Sequence, residues 1–262
     1  MWLRVSCKLA FDIQIPTPFI LRLRPRSGME QWIERDEFKI SPRVPIIEYT
    51  DDYFTLCQRL VAPVGEFSIY TTSDVQTSEF VDVGFDAPFV EIQYLPNDVL
   101  CYLLPSRYCE SDRFNDLANT ITADQLPGYN QVAAIEEWLR TNISYIPGSS
   151  DYPISAIEVN HKGSGVCRDL AHLGIALCRS LSIPARLVVG YLHKIQPMDM
   201  HAWFEAYIGG RWYVFDATQK GRKGGYVTVG YGLDAADVAL FNQFGPSVYP
   251  IEQNFSVELI KQ

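Results

Sequence analysis

The first hundred residues alternate short apolar runs with turn-forming residues. Runs at residues 3–11, 19–23, 46–49 and 67–72 carry mostly apolar, β-branched or aromatic side chains, and proline and glycine lie between them. Short strands with frequent turn signals are typical of antiparallel sandwiches. The pattern therefore predicts a β-sandwich-like N-terminal domain over residues 1–112.

The period of the apolar positions changes after residue 110. Residues 128–142 and 166–181 place apolar side chains three and four positions apart, which is the spacing of one helix face. In the first of these segments Glu136, Glu137 and Arg140 fall on the opposite side. Two amphipathic helices are therefore predicted, and these three charged residues are expected to face solvent.

Strand-like runs follow the second helix. They cover residues 185–192, 201–208 and 211–216. Helices followed by short strands indicate a mixed domain in which helix packs on sheet. We expect an α+β fold, with the second domain over residues 113–262.

Composition and charge narrow the possible partners. The 262 residues are 47% hydrophobic, which is enough to form packed cores without disulfide staples. There are 31 acidic and 22 basic residues, a net charge of −9. A negative field of this kind repels phosphate backbones, so we expect no nucleic-acid partner.

The sequence also bears on location. The N-terminal segment has no apolar stretch of the kind found in signal peptides, and no apolar run approaches the roughly 18 residues that a membrane helix needs. We therefore expect a cytoplasmic protein without a membrane partner, in which the six cysteines stay reduced.

A metal site is the first alternative for the cysteine and histidine residues. Cys101 and Cys109 lack the two-to-four-residue spacing of a zinc knuckle. Cys167 and His172 are five positions apart, which on a helix separates them by roughly 140° around the axis. They cannot bind one ion from the same helix face, so no metal and no cofactor are predicted.

Cys167 lies at the predicted start of the second helix. Gly163 and Gly165 precede it, and Cys167, Ala171 and other small residues form one stripe of that helix. Unpaired backbone N–H groups give a helix N-terminus roughly +0.5 of a charge, which favours the thiolate, the nucleophilic form of cysteine. Gly165 leaves room for a substrate carbonyl near the backbone. The alternative is a small buried cysteine without chemistry.

A predicted hairpin brings a histidine and an aspartate together. Gly209-Gly210 separates two strand-like runs, which is a strong signal for a two-residue turn. If Ile208 faces Arg211, then His201 and Asp216 become diagonal neighbours on one face of the sheet. A carboxylate that orients an imidazole is the arrangement by which a thiol nucleophile is activated.

Several sequence blocks resemble bacterial transglutaminase-like proteins. The blocks are Gly165-Val-Cys-Arg-Asp-Leu-Ala-His172, Ile183-Pro-Ala-Arg186, Gly190-Tyr191, His201-Ala-Trp-Phe-Glu205 and Trp212-Tyr-Val-Phe-Asp-Ala-Thr218. The resemblance covers residues 130–260, and residues 43–64 resemble the β-rich domain that often precedes this core. The family commonly has proline after the aspartate, where this chain has Ala217, a difference that removes no catalytic group.

The resemblance implies a fold and a site. It implies a papain-like core in which a helix carrying the cysteine packs on an antiparallel sheet. The family's catalytic cysteine, histidine and aspartate fall on Cys167, His201 and Asp216. Trp203 and Gly165 are expected to contact substrate.

The predicted reaction is acyl transfer on a peptide or side-chain amide. A thiolate attacks the carbonyl, an amine leaves, and water or a second amine resolves the thioester. We favour hydrolysis, as in a cysteine peptidase or amidase, over cross-linking. The competing interpretation is a non-catalytic interaction module that keeps the fold, and the sequence does not predict an oligomeric state.

Overall fold

The computed structural model describes residues 1–28, 30–150, 152–221 and 223–261. Its strands are β1 (Trp2–Ile13), β2 (Thr17–Leu21), β3 (Gln31–Ser41), β4 (Ile47–Thr50), β5 (Leu56–Ala62), β6 (Gly65–Thr77), β7 (Ser144–Tyr145), β8 (Ser164–Gly165), β9 (Ala185–Leu192), β10 (His201–Ile208), β11 (Arg211–Phe215), β12 (Tyr226–Gly232), β13 (Phe241–Gln243) and β14 (Pro250–Lys261). Its α-helices are α1 (Asn115–Thr122), α2 (Tyr129–Asn142), α3 (Ala156–Lys162) and α4 (Cys167–Ser180).

The N-terminal strands form the predicted β-sandwich. One antiparallel sheet has the order β14-β1-β6-β3, and the other has the order β13-β2-β5-β4. Strand β1 buries alternate residues such as Leu3, Val5 and Leu9, and these share one core with Phe19 and Leu60 of the second sheet. Because each buried aliphatic or aromatic side chain contributes about 1.5–3 kcal/mol, this shared core holds the two sheets face to face.

The C-terminal strands belong to these same sheets. Strand β14 pairs antiparallel with β1, and β13 pairs with β2. The predicted boundary at residue 112 assigns all later residues to the second domain. Strands β13 and β14 lie after this boundary but pair with strands of the N-terminal sandwich. Residues 241–261 return to the sandwich and close both of its sheets on one side.

The second core has the predicted helix-on-sheet architecture. Helix α4 packs against an antiparallel sheet of order β11-β10-β9-β12. Gly174 allows a close approach, because a Cβ atom at this position would lie 2.6 Å from the ring of Phe204 on β10. The small residue therefore fixes the distance between the helix that begins at Cys167 and the strand that begins at His201.

The hairpin between β10 and β11 has the predicted register. Ile208 lies opposite Arg211, and Phe204 lies opposite Phe215. Gly209 and Gly210 adopt φ values of 59° and 92°, the positive angles that a type I′ turn requires. The strand ends at Phe215, so Asp216 is the first residue after the ladder.

No helix in the described parts of the chain combines the length and apolar character needed to cross a membrane. All six cysteines are unpaired. The expected cytoplasmic location stays a prediction.

Candidate active site

Cys167 is the first residue of α4. Val166 before it is extended, with φ −89° and ψ 176°, and its N–H donates to the side chain of Asp169 at 3.2 Å. The first N–H groups of a helix have no partner within the helix, so the backbone at Cys167 is a potential hydrogen-bond donor beside its own thiol. The thiol is partly exposed.

Gly165 supports this helix start. A Cβ atom at Gly165 would lie 2.8 Å from the Cβ atom of Asp169, so a larger residue would displace the capping carboxylate. The contact of Gly165 in the structure is thus with Asp169, and its expected contact with substrate stays a prediction.

The adjacent arginine ties the helix start to a neighbouring loop. Arg168 pairs with Asp169 at 3.0 Å, donates to the carbonyl of Tyr152 at 2.8 Å and donates to the hydroxyl of Ser150 at 3.2 Å. Asp169 is fully buried, and its carboxylate has Arg168 and the N–H of Val166 as partners, as a buried polar group requires. These contacts fix the loop that precedes α3 beside Cys167.

His201 and Asp216 share a hydrogen bond, as the hairpin register predicts, although Asp216 lies one residue beyond the end of β11. The distance between His201 Nε2 and Asp216 Oδ2 is 2.6 Å. Both residues are buried, with 1% and 6% of their surfaces exposed. In a water-poor environment such a charge-assisted hydrogen bond is stronger than the same bond at the surface.

Asp216 has four further hydrogen bonds to its carboxylate and its amide. Thr218 donates to Oδ1 through its N–H at 3.0 Å and its hydroxyl at 2.6 Å. The hydroxyl of Tyr226 donates to Oδ2 at 2.9 Å, and the N–H of Asp216 donates to Glu136 at 2.8 Å. With its carboxylate oxygens occupied by donors, the side chain has one orientation toward the imidazole.

The ionisation of the pair follows from this geometry. Burial lowers the pKa of His201, but the charge and hydrogen bond of Asp216, followed by the contribution of Cys167, raise it to about 10. Burial raises the pKa of Asp216, and the imidazolium with Thr218 lowers it below its ordinary value. The favoured state is therefore an imidazolium next to a carboxylate.

The other nitrogen of His201 is left for the thiol. Nδ1 is buried and has no nitrogen or oxygen partner among the described residues. Because Nε2 is bound to Asp216 and Cys167 contributes to the raised pKa of His201, Nδ1 is the atom available to the sulfur. The described residues thus bring together a thiol, an imidazole and a carboxylate, in the order needed for proton transfer from sulfur.

Trp203 and Tyr226 cover the imidazole. The Trp203 ring lies 6.1 Å from that of His201 at an interplanar angle of 27°, and the Tyr226 ring meets Trp203 edge-on at 4.9 Å. Trp203 is 1% exposed, and its aromatic contacts are with these two rings. Its expected contact with substrate stays a prediction.

Tyr226 is not among the predicted site residues, and the expectation of solvent exposure is wrong for Glu136 and Arg140. The two α2 residues were expected to face solvent, but Glu136 accepts the N–H of Asp216 and Arg140 Nη2 donates to its carbonyl at 3.4 Å. Only Glu137 faces solvent as expected, with its side chain 67% exposed. Helical spacing shows which residues share a face, but it does not show which loop packs against that face.

His172, on α4, is a second buried histidine. Its hydrogen-bond partners lie outside the β10–β11 hairpin and do not include Asp216. Its Nδ1 donates to the carbonyl of Ile154 at 3.1 Å, its Nε2 accepts the N–H of Ala235 at 3.2 Å, and its ring stacks on Tyr108. Burial lowers the pKa of His172 to about 4. A neutral imidazole with both nitrogens engaged joins three segments of chain and has no free atom for proton transfer.

A metal-binding arrangement was also sought. Within residues 1–28, 30–150, 152–221 and 223–261, no three side chains of histidine, cysteine, aspartate or glutamate gather as a group that could hold an ion.

Comparison with known proteins agrees with the architecture. Residues 115–217 match the model of the transglutaminase-like superfamily. A crystal structure described as a "Putative Cysteine Protease from Cytophaga hutchinsonii" is 35% identical, covers 100% of this chain and 91% of its own, and superposes with a TM-score of 0.92.

A sequence relative of similar length supports the same assignment. The uncharacterized protein ML0607 of Mycobacterium leprae is 31% identical over 235 residues, which are 83% of this chain and 82% of the relative. The chain belongs to the bacterial transglutaminase-like family.

Proposed function

We propose that the protein is a thiol-dependent acyl-transfer enzyme that hydrolyses a peptide or side-chain amide. The observation that carries the proposal is the buried 2.6 Å hydrogen bond between His201 and Asp216, which leaves Nδ1 of the imidazole for Cys167. The likeness to a structure described as a cysteine protease supports hydrolysis over cross-linking.

In the first half-reaction the Cys167 thiolate attacks the amide carbonyl carbon. The carbonyl oxygen becomes an oxyanion, and the N–H of Cys167 at the start of α4 is a donor for it. The His201 imidazolium then gives its Nδ1 proton to the amine nitrogen, the C–N bond breaks, and a thioester remains.

In the second half-reaction water replaces the amine. Neutral His201 takes a proton from water, the resulting oxygen nucleophile attacks the thioester, and the C–S bond breaks to release the acid and the thiolate. Asp216 holds the imidazole in one orientation and stabilises its charged form in both halves. Trp203 and Gly165 are proposed to border the bound acyl group.

The test is incubation with a peptide library and an isotope-labelled primary amine, followed by mass spectrometry. Hydrolysis produces new carboxyl ends or deamidated side chains, whereas cross-linking activity incorporates the amine. Cys167→Ala should abolish either product, and Cys101→Ala, at the exposed cysteine, should retain it. If neither product forms and Cys167 shows no special reactivity, the protein is an interaction module and the proposal is wrong.

A further inference from the structure

The backbone of Asp216 lies outside the sheet that carries His201. Strand β11 ends at Phe215, so the N–H and carbonyl of Asp216 have no partner in the ladder. Buried backbone groups need partners, because an unpaired one has lost its hydrogen bonds to water without replacement. The turn supplies one of them, because the N–H of Gln219 donates to the carbonyl of Asp216 at 3.2 Å.

Helix α2 supplies the others from a single pair of side chains. Glu136 Oε1 accepts the N–H of Asp216 at 2.8 Å, and Arg140 Nη2 donates to the carbonyl of Asp216 at 3.4 Å. The same two atoms face each other at 3.3 Å as an i,i+4 ion pair. The Glu136–Arg140 pair of α2 therefore binds both the N–H and the carbonyl of Asp216.

The pair is built into the protein and is not a surface feature. The side chains of Glu136 and Arg140 are 16% and 23% exposed, whereas Glu137, which also contacts Arg140 at 2.5 Å, is 67% exposed. An exposed ion pair contributes little to the free energy of unfolding. The Glu136–Arg140 pair is therefore better explained by its hydrogen bonds to the Asp216 backbone than by its own attraction.

The charges are balanced around the aspartate. A lone carboxylate at position 136 would disfavour the ionised form of Asp216, because like charges repel. Arg140 offsets that charge, and the two residues act in opposite directions on the neighbouring Tyr226 hydroxyl. Glu136 can therefore accept the N–H of Asp216 without favouring protonation of the Asp216 carboxylate that orients His201.

We propose that Glu136 and Arg140 are positioning residues that hold the backbone of Asp216, and through it the orientation of the His201 imidazole toward Cys167. This inference rests on the proposed function, since it assigns a role within the same site. It adds α2 to the elements on which the reactivity of Cys167 depends.

The experiment compares Glu136→Gln with Glu136→Met in the full chain. Both side chains are neutral and similar in volume, but only glutamine keeps an oxygen that accepts the Asp216 N–H. The readout is the rate at which iodoacetamide alkylates Cys167 at about pH 5.5, where an isolated thiol is almost wholly protonated. No substrate is needed.

We expect the methionine variant to lose about tenfold or more of the wild-type rate, because a small misplacement in such a unit is costly. The glutamine variant should stay within about threefold of wild type, and so should Glu137→Ala, the matched control on the same helix. A methionine variant that folds and reacts like wild type, or a glutamine variant that is as slow as methionine, would overturn the inference.

Two further measurements keep the outcome decisive. If Glu136→Met does not fold, Arg140→Met decides instead. It leaves Glu136 uncompensated and should also slow alkylation at about pH 5.5 by about tenfold, so unchanged reactivity would overturn the inference. If wild-type Cys167 shows no excess reactivity at this pH, the proposed function fails first, which separates the two failures.

Discussion

Among single residues, Cys167 differs from the other five cysteines in its surroundings. It is partly exposed at a helix start next to His201, whereas Cys101 is exposed and far from any imidazole in the described contacts. Burial raises the pKa of the remaining thiols, to about 12 for Cys7 and about 11 for Cys57, and it also raises the pKa of Cys101. Exposure alone would favour reaction at Cys101, whereas the neighbouring imidazole would favour reaction at Cys167.

Alkylation separates these two factors. In mildly acidic buffer iodoacetamide should label Cys167 before Cys101, because a thiolate paired with an imidazolium reacts where an ordinary thiol is protonated. Peptide mapping by mass spectrometry measures the order. Faster labelling of Cys101 would show that exposure alone decides and that Cys167 has no activated thiolate.

If the proposed function is correct, the charge of Asp216 should set the alkaline limit of activity. The carboxylate holds the pKa of His201 above its ordinary 6.5, at about 10, so the imidazolium persists until the pH rises toward that value. In Asp216→Asn the burial that lowers the pKa of His201 is opposed only by the smaller contribution of Cys167, so the pKa of His201 should fall. The alkaline limb of the kcat/KM profile should move to lower pH, with turnover reduced by roughly 10² to 10⁴.

The pH dependence of the free energy of unfolding provides a control for Asp216→Asn. A raised histidine pKa stabilises the fold fully below pH 6.5 and loses that effect as the pH rises toward 10. Asp216→Asn should therefore flatten this part of the curve of unfolding free energy against pH. An alkaline limb that stays in place would mean that another group, not the His201–Asp216 pair, limits the reaction.

Among the elements, α4 combines two separate tasks along one helix. Its first residue is the proposed nucleophile, and His172, five residues further on, binds Ile154 and Ala235 and stacks on Tyr108. His172→Ala should leave buried backbone groups unpaired and destabilise the protein by about 1–3 kcal/mol. Urea denaturation measures this loss.

The reactivity of Cys167 distinguishes structure from chemistry in this variant. Folded His172→Ala should keep the wild-type alkylation rate, since the ring of His172 has no atom free for proton transfer. His161→Ala, on an exposed position of α3, is the control and should change stability by less than about 0.5 kcal/mol. Loss of Cys167 reactivity in the folded variant would give His172 a role in the reaction.

Elements that depend on interactions between residues close in sequence can be predicted, whereas those that depend on distant segments cannot. The β10–β11 register is predictable because two glycines with positive φ close a two-residue turn, and turn length fixes which residues face each other. Helix α3 also has a local signal in the sequence, although it is not among the predicted helices. Ser155 and Glu158 cap each other's backbone reciprocally, which is a recognisable helix start.

Other features depend on contacts between distant parts of the chain. The pairing of β14 with β1 joins residues some 250 positions apart, and no local pattern selects that partner. The contacts of Glu136 and Arg140 also join distant segments, because these side chains on α2 bind the turn at Asp216. The sequence of α2 alone does not show that this turn packs against it. The proposed nucleophile and base are therefore easier to predict from the sequence than the residues that support them.

At the scale of the whole molecule, the sandwich holds one edge of the sheet that carries the candidate site. Tyr191, Val227 and Val229, from β9 and β12, are buried in the core of the sandwich. Gln31 on β3 donates to the carbonyl of Thr228 and accepts its N–H, both at 2.8 Å. Strand β12 is thus completed by a side chain of the other domain, and it carries the tyrosine that binds Asp216.

Gln31→Leu tests this connection. The substitution removes both hydrogen bonds to Thr228 and a third, from Gln31 Nε2 to the carbonyl of Arg26 at 2.8 Å, so three backbone groups lose their partner. The free energy of unfolding should fall by about 1–3 kcal/mol for each of these groups that water cannot reach. Gln76→Leu, at an exposed glutamine of the neighbouring strand β6, should change it by less than about 0.5 kcal/mol. Urea unfolding of the wild type, followed by fluorescence and far-UV circular dichroism, should give one coincident transition because β9 contributes side chains to both cores, Leu187 to one and Tyr191 to the other. Two separate transitions, or equal effects of the two glutamine substitutions, would mean that the sandwich and the catalytic sheet fold as independent units and that Gln31 does not couple them.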